Sequence, residues 1–165
     1  MIRNIELIKV ALSITALLCT APIMAQVDNH YGSNGSYQGQ SRTTTSAGSS
    51  NTSFYGNNGS YQGRAKTTAS GNSQQTSFYG NNGSYQGQAR TTTSGNSSNT
   101  NYYGSNGSYQ GRSKTTVSGN TTTTYFYSAN GSYEGKTVST ASGNRITTRY
   151  YDASGSCKGS TTTSE

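Results

Sequence analysis

Tyrosine recurs at positions 31, 55, 79, 103, 127 and 151, a spacing of 24 residues with no insertion or deletion. A strict period of that length marks a chain assembled from copies of one supersecondary unit, each needing its neighbours to bury its apolar face. A second tyrosine follows six residues later, at 37, 61, 85, 109 and 133, with Cys157 in its place in the sixth copy. Between the two lie Asn34-Gly35, Asn58-Gly59, Asn82-Gly83, Asn106-Gly107, Asn130-Gly131 and finally Ser154-Gly155. Asn-Gly accepts the positive φ angles of a type I′ turn, so each pair predicts a two-residue hairpin turn. A second turn signal sits halfway along: Ala47-Gly48, then Gly71-Asn72, Gly95-Asn96, Gly119-Asn120 and Gly143-Asn144. Two such turns and two strands of about ten residues fill the period.

The register follows by counting outward from these turns. It sets His30, Phe54, Phe78, Tyr102, Phe126 and Tyr150 opposite Gly39, Gly63, Gly87, Gly111, Gly135 and Gly159. On the other side, the last five of these meet Ser41, Ala65, Ala89, Ser113 and Thr137. A ring between two small residues in every copy is the complementarity of a packed sheet face. The period of two then places Tyr85, Gly87, Ala89, Thr91 and Thr93 on the face of Phe78, and Gln86, Gln88, Arg90 and Thr92 on the other. Arg42, Arg64, Lys66, Arg90, Arg112, Lys114 and Lys136 all fall on that second, polar face.

Composition sharpens this expectation. From residue 26 onward there is no Leu, Met or Pro, and Val27, Val117, Val138, Ile146, Phe54, Phe78 and Phe126 are the only large aliphatic residues and phenylalanines. Helical bundles and α/β enzyme domains are excluded by so little apolar material. Thr, Tyr, Phe and Val favour strands, and the absence of Pro leaves every ladder amide available. The expected fold is all-β: tandem 24-residue β-hairpin repeats in an antiparallel meander of about twelve strands, extended, curled or closed. A membrane barrel would need a continuous apolar band, which Gly, Ala and Thr cannot supply.

The first residues read differently. Arg3 and Lys9 precede an apolar run from Val10 to Cys19, and Ala21-Pro22-Ile23-Met24-Ala25 follows. This is the pattern of a secretory signal peptide cleaved after Ala25, giving a signal peptide over 1–25 and a single repeat domain over 26–165. The expected location is secreted or periplasmic, with no membrane span after cleavage. Cys157 then has no internal partner and is read as a free, partly buried thiol. His30 is the one histidine, so no His-based metal site or nucleophile–base pair is expected. No catalytic residue, metal or cofactor is predicted.

The stretch from Ser142-Gly143-Asn144 to Tyr150-Tyr151-Asp152-Ala153-Ser154-Gly155 resembles a YD-type (Rhs-like) repeat. Only Tyr151-Asp152 carries the literal pair, and Gly83-Ser84-Tyr85 stands where that family has Gly-Arg-Leu. The resemblance implies hairpin strips wrapped into shells, on bacterial surfaces or around exported toxins, and brings no catalytic residue with it.

The candidate binding surface is the polar face. Across the second turn Tyr55 meets Gln40, Tyr79 meets Arg64, Tyr103 meets Gln88, Tyr127 meets Arg112 and Tyr151 meets Lys136; the other neighbours of these tyrosines are Gln62, Gln86, Gln110, Glu134 and Lys158. Aromatic faces flanked by amides and cations suit stacking on sugar rings, and one-signed charge suits an anionic polymer. The function expected is an exported, non-catalytic repeat protein of the bacterial envelope or surface, structural or binding polysaccharide or another anionic surface polymer, with no nucleic acid. The alternative is a self-assembling, amyloid-like matrix or adhesive component: Ser, Thr, Asn, Gln and Tyr stack as ladders, and an open meander leaves two unpaired edges.

Overall fold

The computed structural model describes residues 24–164. The expected signal peptide lies outside the described residues except for Met24 and Ala25. Twelve strands follow one another: β1 (Met24–Gly32), β2 (Tyr37–Ser46), β3 (Ser49–Gly56), β4 (Tyr61–Ser70), β5 (Ser73–Gly80), β6 (Tyr85–Ser94), β7 (Ser97–Gly104), β8 (Tyr109–Ser118), β9 (Thr121–Ser128), β10 (Tyr133–Ser142), β11 (Arg145–Asp152) and β12 (Cys157–Ser164). Each pairs antiparallel with the next, and β12 returns to β1, closing a barrel. Closure leaves no unpaired edge on the meander. Met24 and Ala25 pair with Thr45 and Thr44, but the closing ladder begins at Val27, opposite Ser164, and uses neither.

His30 faces Gly39 on β2, and Gly39 faces Gly56 on β3, two residues beyond Phe54, the equivalent of His30. Each copy therefore advances the register by two residues, and six copies accumulate a stagger equal to the number of strands. Barrels with that ratio tilt their strands about 36° from the axis. The closing ladder keeps the common register, since His30 meets Thr161 as Tyr150 meets Thr137.

The pairings of rings with Gly, Ser, Ala and Thr are those expected from the sequence. The turn that produces them is different. The Gly83 amide donates to the Gly80 carbonyl and the Gly80 amide to the Ser84 carbonyl, both at 2.9 Å. Gly83 has φ 80°, and among the described residues no non-glycine has positive φ. The loop is thus three residues, Asn81-Asn82-Gly83, with a type I turn ending in a left-handed glycine; a type I′ turn would need Asn82 at positive φ as well. The same loop recurs around Asn34-Gly35, Asn58-Gly59, Asn106-Gly107 and Asn130-Gly131. The asparagine instead accepts from the backbone two residues on, Asn82 Oδ1 from the Ser84 amide at 3.1 Å.

A β-bulge corrects the count. Tyr79 pairs with Tyr85 but Phe78 with Gly87, leaving Gln86 as the extra residue. Gly87 sits at φ 140°, where a Cβ would collide with the Tyr103 carbonyl oxygen. The three-residue loop removes one position from the expected register and the bulge restores it, so the ladder beyond Gly87 is as counted. Between loop and bulge every side chain changes face. Tyr85 and its equivalents stand on the outer face, not beside Phe78, and Gln86 leaves the polar face: its amide nitrogen lies 3.2 Å from where a Cβ of Gly80 would stand.

Small inward side chains let this barrel fill its interior with few apolar residues. Phe54, Ala65, Phe78, Ala89 and Tyr102 form the buried apolar cluster, extended around the ring by Phe126. The next level is made of hydroxyl pairs across strands: Thr43–Thr52 and Thr67–Thr76 at 2.9 Å, Thr91–Thr100 and Thr115–Thr124 at 2.8 Å, and Ser139–Thr148 at 2.7 Å. Each satisfies two polar groups that burial would otherwise penalise, and among the described residues no buried side-chain nitrogen or oxygen lacks a partner. Beyond this level the lumen opens into a cleft of about 250 Å³ lined by Gln74, Thr91, Thr93, Ser98, Thr100 and Val117.

Candidate functional site

The outer wall at the Asn-Gly end carries the expected binding residues. Alternation places Tyr55, Tyr79, Tyr103, Tyr127 and Tyr151 outward, half-buried, next to the inward ring of their own strand. Their cross-strand neighbours over the second turn are as counted: Gln40, Arg64, Gln88, Arg112 and Lys136. Arg64 lies over the Tyr79 ring at 5.0 Å, Arg112 over Tyr127 at 5.4 Å and Lys136 over Tyr151 at 5.6 Å. In the copies with Gln opposite the tyrosine, the arginine two residues further fills the same place: Arg42 over Tyr55 and Arg90 over Tyr103, both at 5.6 Å. Those two cations lie on the face expected from the sequence, and their reach to the tyrosine is diagonal, a contact that direct cross-strand pairing does not display. Each contact contributes about 0.5–1 kcal/mol at an exposed site.

On their other side these tyrosines do not meet Gln62, Gln86, Gln110, Glu134 or Lys158, because of the bulge. They meet the second tyrosine of the copy. Tyr55–Tyr61 and Tyr79–Tyr85 are edge-to-face with centroids 5.9 Å apart, Tyr31–Tyr37 and Tyr103–Tyr109 the same at 6.0 Å, and Tyr127–Tyr133 tilted at 6.0 Å. The second tyrosines are the most open aromatics of the wall, about 40% exposed at Tyr37, Tyr85 and Tyr133. The signal that could have placed them was the glycine two residues on, the residue a bulge of this kind demands. Cys157 occupies the sixth such position and is exposed and free, not partly buried.

The sixth copy also has Asp152 at the position of Gly80, the residue before the loop, where the fifth has Ser128. The Ser154 hydroxyl donates to its carboxylate at 2.6 Å, the Ser156 amide at 2.9 Å, and Lys158 pairs with it at 3.0 Å. These contacts hold the Asp152 carboxyl well below the usual carboxylate range, the Ser154 bond first among them. It is a loop-stabilising arrangement at the surface, with Asp152 half-buried.

A second cluster lies inside, where β1 meets its two neighbours. In copy one the repeat's inward threonine is Asp28 and its ring is His30. Asp28, fully buried, accepts from Thr163 at 2.6 Å, from Gln26 at 3.0 Å and from Ser41 at 3.4 Å. His30 Nε2 is 3.3 Å from Ser41 Oγ and its Nδ1 is 3.0 Å from Thr161 Oγ1. A serine and a histidine do come within reach of each other, against the expectation that none could. Ser41 and Asp28 are both 0% exposed, however, and the carboxylate bonds the serine hydroxyl, not the imidazole, so neither the access nor the order of an acyl-transfer triad is present. Among the described residues no three His, Cys, Asp or Glu gather to hold a metal ion.

No protein-family model matches the chain, and no curated protein is significantly similar to it.

Proposed function

We propose that the protein is an exported, non-catalytic barrel of the bacterial envelope or surface that binds anionic glycan polymer along its outer tyrosine–cation wall. The observation that carries this reading is the series of five cations stacked on Tyr55, Tyr79, Tyr103, Tyr127 and Tyr151, each beside an open or half-open second aromatic or Cys157. Stacking fixes the guanidinium against the ring while leaving its edge donors to solvent, and bidentate N–H donors suit carboxylate and sulfate oxygens. The adjoining tyrosine edges give apolar contact for a pyranose ring. Repetition around the barrel supports avidity for a repeating ligand. The net charge of +7 favours capture of a polyanion, weakening with salt. The resemblance to YD-type repeats supports an exported shell. Outward positions are mostly Arg, Lys, Gln, Ser, Thr and Asn, with tyrosines at one end and Val27 and Val138 as isolated aliphatic residues, which is no continuous lipid-facing band.

Calorimetric titration with alginate at low salt tests the reading. Saturable binding to alginate, little to neutral dextran, and loss of alginate binding in Arg64→Gln/Arg112→Gln support it. Equal binding by that double variant removes the wall from the function. The self-assembling alternative has lost its open edges to closure and keeps only its composition in support.

A further inference from the structure

The outer wall is not the same all the way round. On β2–β5 the residues directly opposed across the strands, next to a stacked tyrosine, run Arg42, Ser53, Arg64, Tyr79. The equivalent row on β8–β11 runs Lys114, Tyr125, Lys136, Tyr151. Asn29, Ser77, Asn101 and Arg149 hold the place of Ser53 in the remaining copies. Copy five alone puts an aromatic ring there, so cation and ring alternate across four strands.

That ring changes its surroundings. Tyr125 is 36% exposed and leans on Tyr133, with centroids 6.4 Å apart and ring planes at 48°. Tyr133 also keeps Tyr127 at 6.0 Å, but at 59°, where the pairs of the first four copies stand at 66–67°. Three rings therefore make a tilted cradle in place of a pair. Arg112 lies over Tyr127 and Lys136 over Tyr151. Tyr125 has its ring contact with Tyr133, and among the described residues no cation stacks on it. Its cross-strand neighbours are nevertheless both lysines, Lys114 and Lys136. The one ion pair among the described residues is Lys158–Asp152, so Arg112, Lys114, Lys136 and the exposed Arg149 leave this patch strongly positive. Glu134 is the unpaired residue of the β10 bulge and lies outside the row.

We infer that Tyr125, Tyr127 and Tyr133, flanked by Lys114 and Lys136, form the primary subsite of the wall and take a short acidic oligosaccharide, one pyranose stacking on Tyr125. The inference rests on the polymer-binding reading and names where on the wall the ligand is held first. Rings tilted against one another offer one stacking face with aromatic walls beside it, which fits a single puckered sugar. Successive nucleobases need a run of stacking platforms. Lys114 and Lys136 stand two strands apart, about 10 Å at their backbones. That separation suits carboxylates on the sugars before and after the stacked one, and ammonium groups meet them as point charges. The other copies, lacking the third ring, add weaker contacts along the same polymer.

Calorimetric titration at low salt with a mannuronate tetrasaccharide and with alginate tests it. The wild-type chain should take one tetrasaccharide. Tyr125→Ser installs the residue of copies two and three, so the barrel is expected to fold, as circular dichroism will check. It should weaken tetrasaccharide binding about tenfold and alginate binding less, because the other copies still contribute. Tyr125→Phe should keep the affinity, since the ring remains. Lys114→Gln should weaken the tetrasaccharide and flatten its salt dependence. The subsite is overturned if Tyr125→Ser or Lys114→Gln binds the tetrasaccharide as wild type does, if Tyr125→Phe loses as much as Tyr125→Ser, or if the wild-type chain binds alginate but no tetrasaccharide. The polymer-binding wall survives each of those results. A wild-type chain that does not bind alginate overturns that reading itself, and tighter binding of an oligothymidylate than of the tetrasaccharide overturns the sugar class.

Discussion

The wall formed by β4–β8 and the seam formed by β12, β1 and β2 have the same register and different interiors. In the wall, Phe78 lies between Ala65 and Gly87, Tyr102 between Ala89 and Gly111, and threonine hydroxyls pair with one another. In the seam the ring is a histidine and one hydroxyl is a carboxylate, and the bonds that hold them are more varied in kind and include charge-assisted ones to Asp28. Backbone geometry alone closes this barrel, but the side chains decide how each part responds to change. The wall depends on volume; the seam depends on charge.

Removing volume from the wall should give the largest effect. Phe78→Ala takes away a ring only 7% exposed and is expected to cost about 3–5 kcal/mol by thermal or denaturant unfolding. His30→Ala at the equivalent seam position should cost clearly less above about pH 7; equal losses would erase the distinction. The bulge glycines give a second contrast. Gly87→Ala forces a Cβ into the Tyr103 carbonyl at φ 140° and should destabilise by about 2–3 kcal/mol. Gly159→Ala on the seam meets the Tyr31 carbonyl at a less severe 2.6 Å, and a smaller loss is expected from the same melting measurement. A third test exchanges hydroxyls for methyls. Thr163→Val deprives the Asp28 carboxylate of a charge-assisted bond and should cost about 1.5–3 kcal/mol, against about 1 kcal/mol for Thr91→Val in a neutral pair; the order reverses if the carboxylate is not the seam's anchor. The smallest effect is expected outside. Tyr79→Ala gives up one cation–π and one edge-to-face contact on the surface, roughly 1 kcal/mol, well below Phe78→Ala.

Much of this was legible in the residues. The pairing of rings with glycines could be counted from Asn82-Gly83 and Gly71-Asn72 alone, because inward size complementarity permits one register. The loop and bulge were not legible, since a three-residue loop plus one extra residue gives the same distal pairing as a two-residue turn. That ambiguity carried Tyr85 to the wrong face and hid the tyrosine pairs that line the wall. Closure is not legible in the repeat, because it depends on stagger accumulated over six copies, a quantity no single hairpin displays. The seam cluster has a signal in the sequence: His30 and Asp28 are the residues at which copy one departs from its siblings at two inward positions.

The two-residue advance per copy has a consequence for lineage and for engineering. Strand number and stagger both grow by two with every unit, so their ratio does not depend on how many units there are. A chain with five or seven units would meet its own first strand at the same inclination and in the same register, changing only its girth and the amount of lumen to be filled. Unequal crossing-over at the level of DNA would then produce closed shells of graded diameter without any intermediate that fails to join its ends, provided the unit bearing His30 stays first.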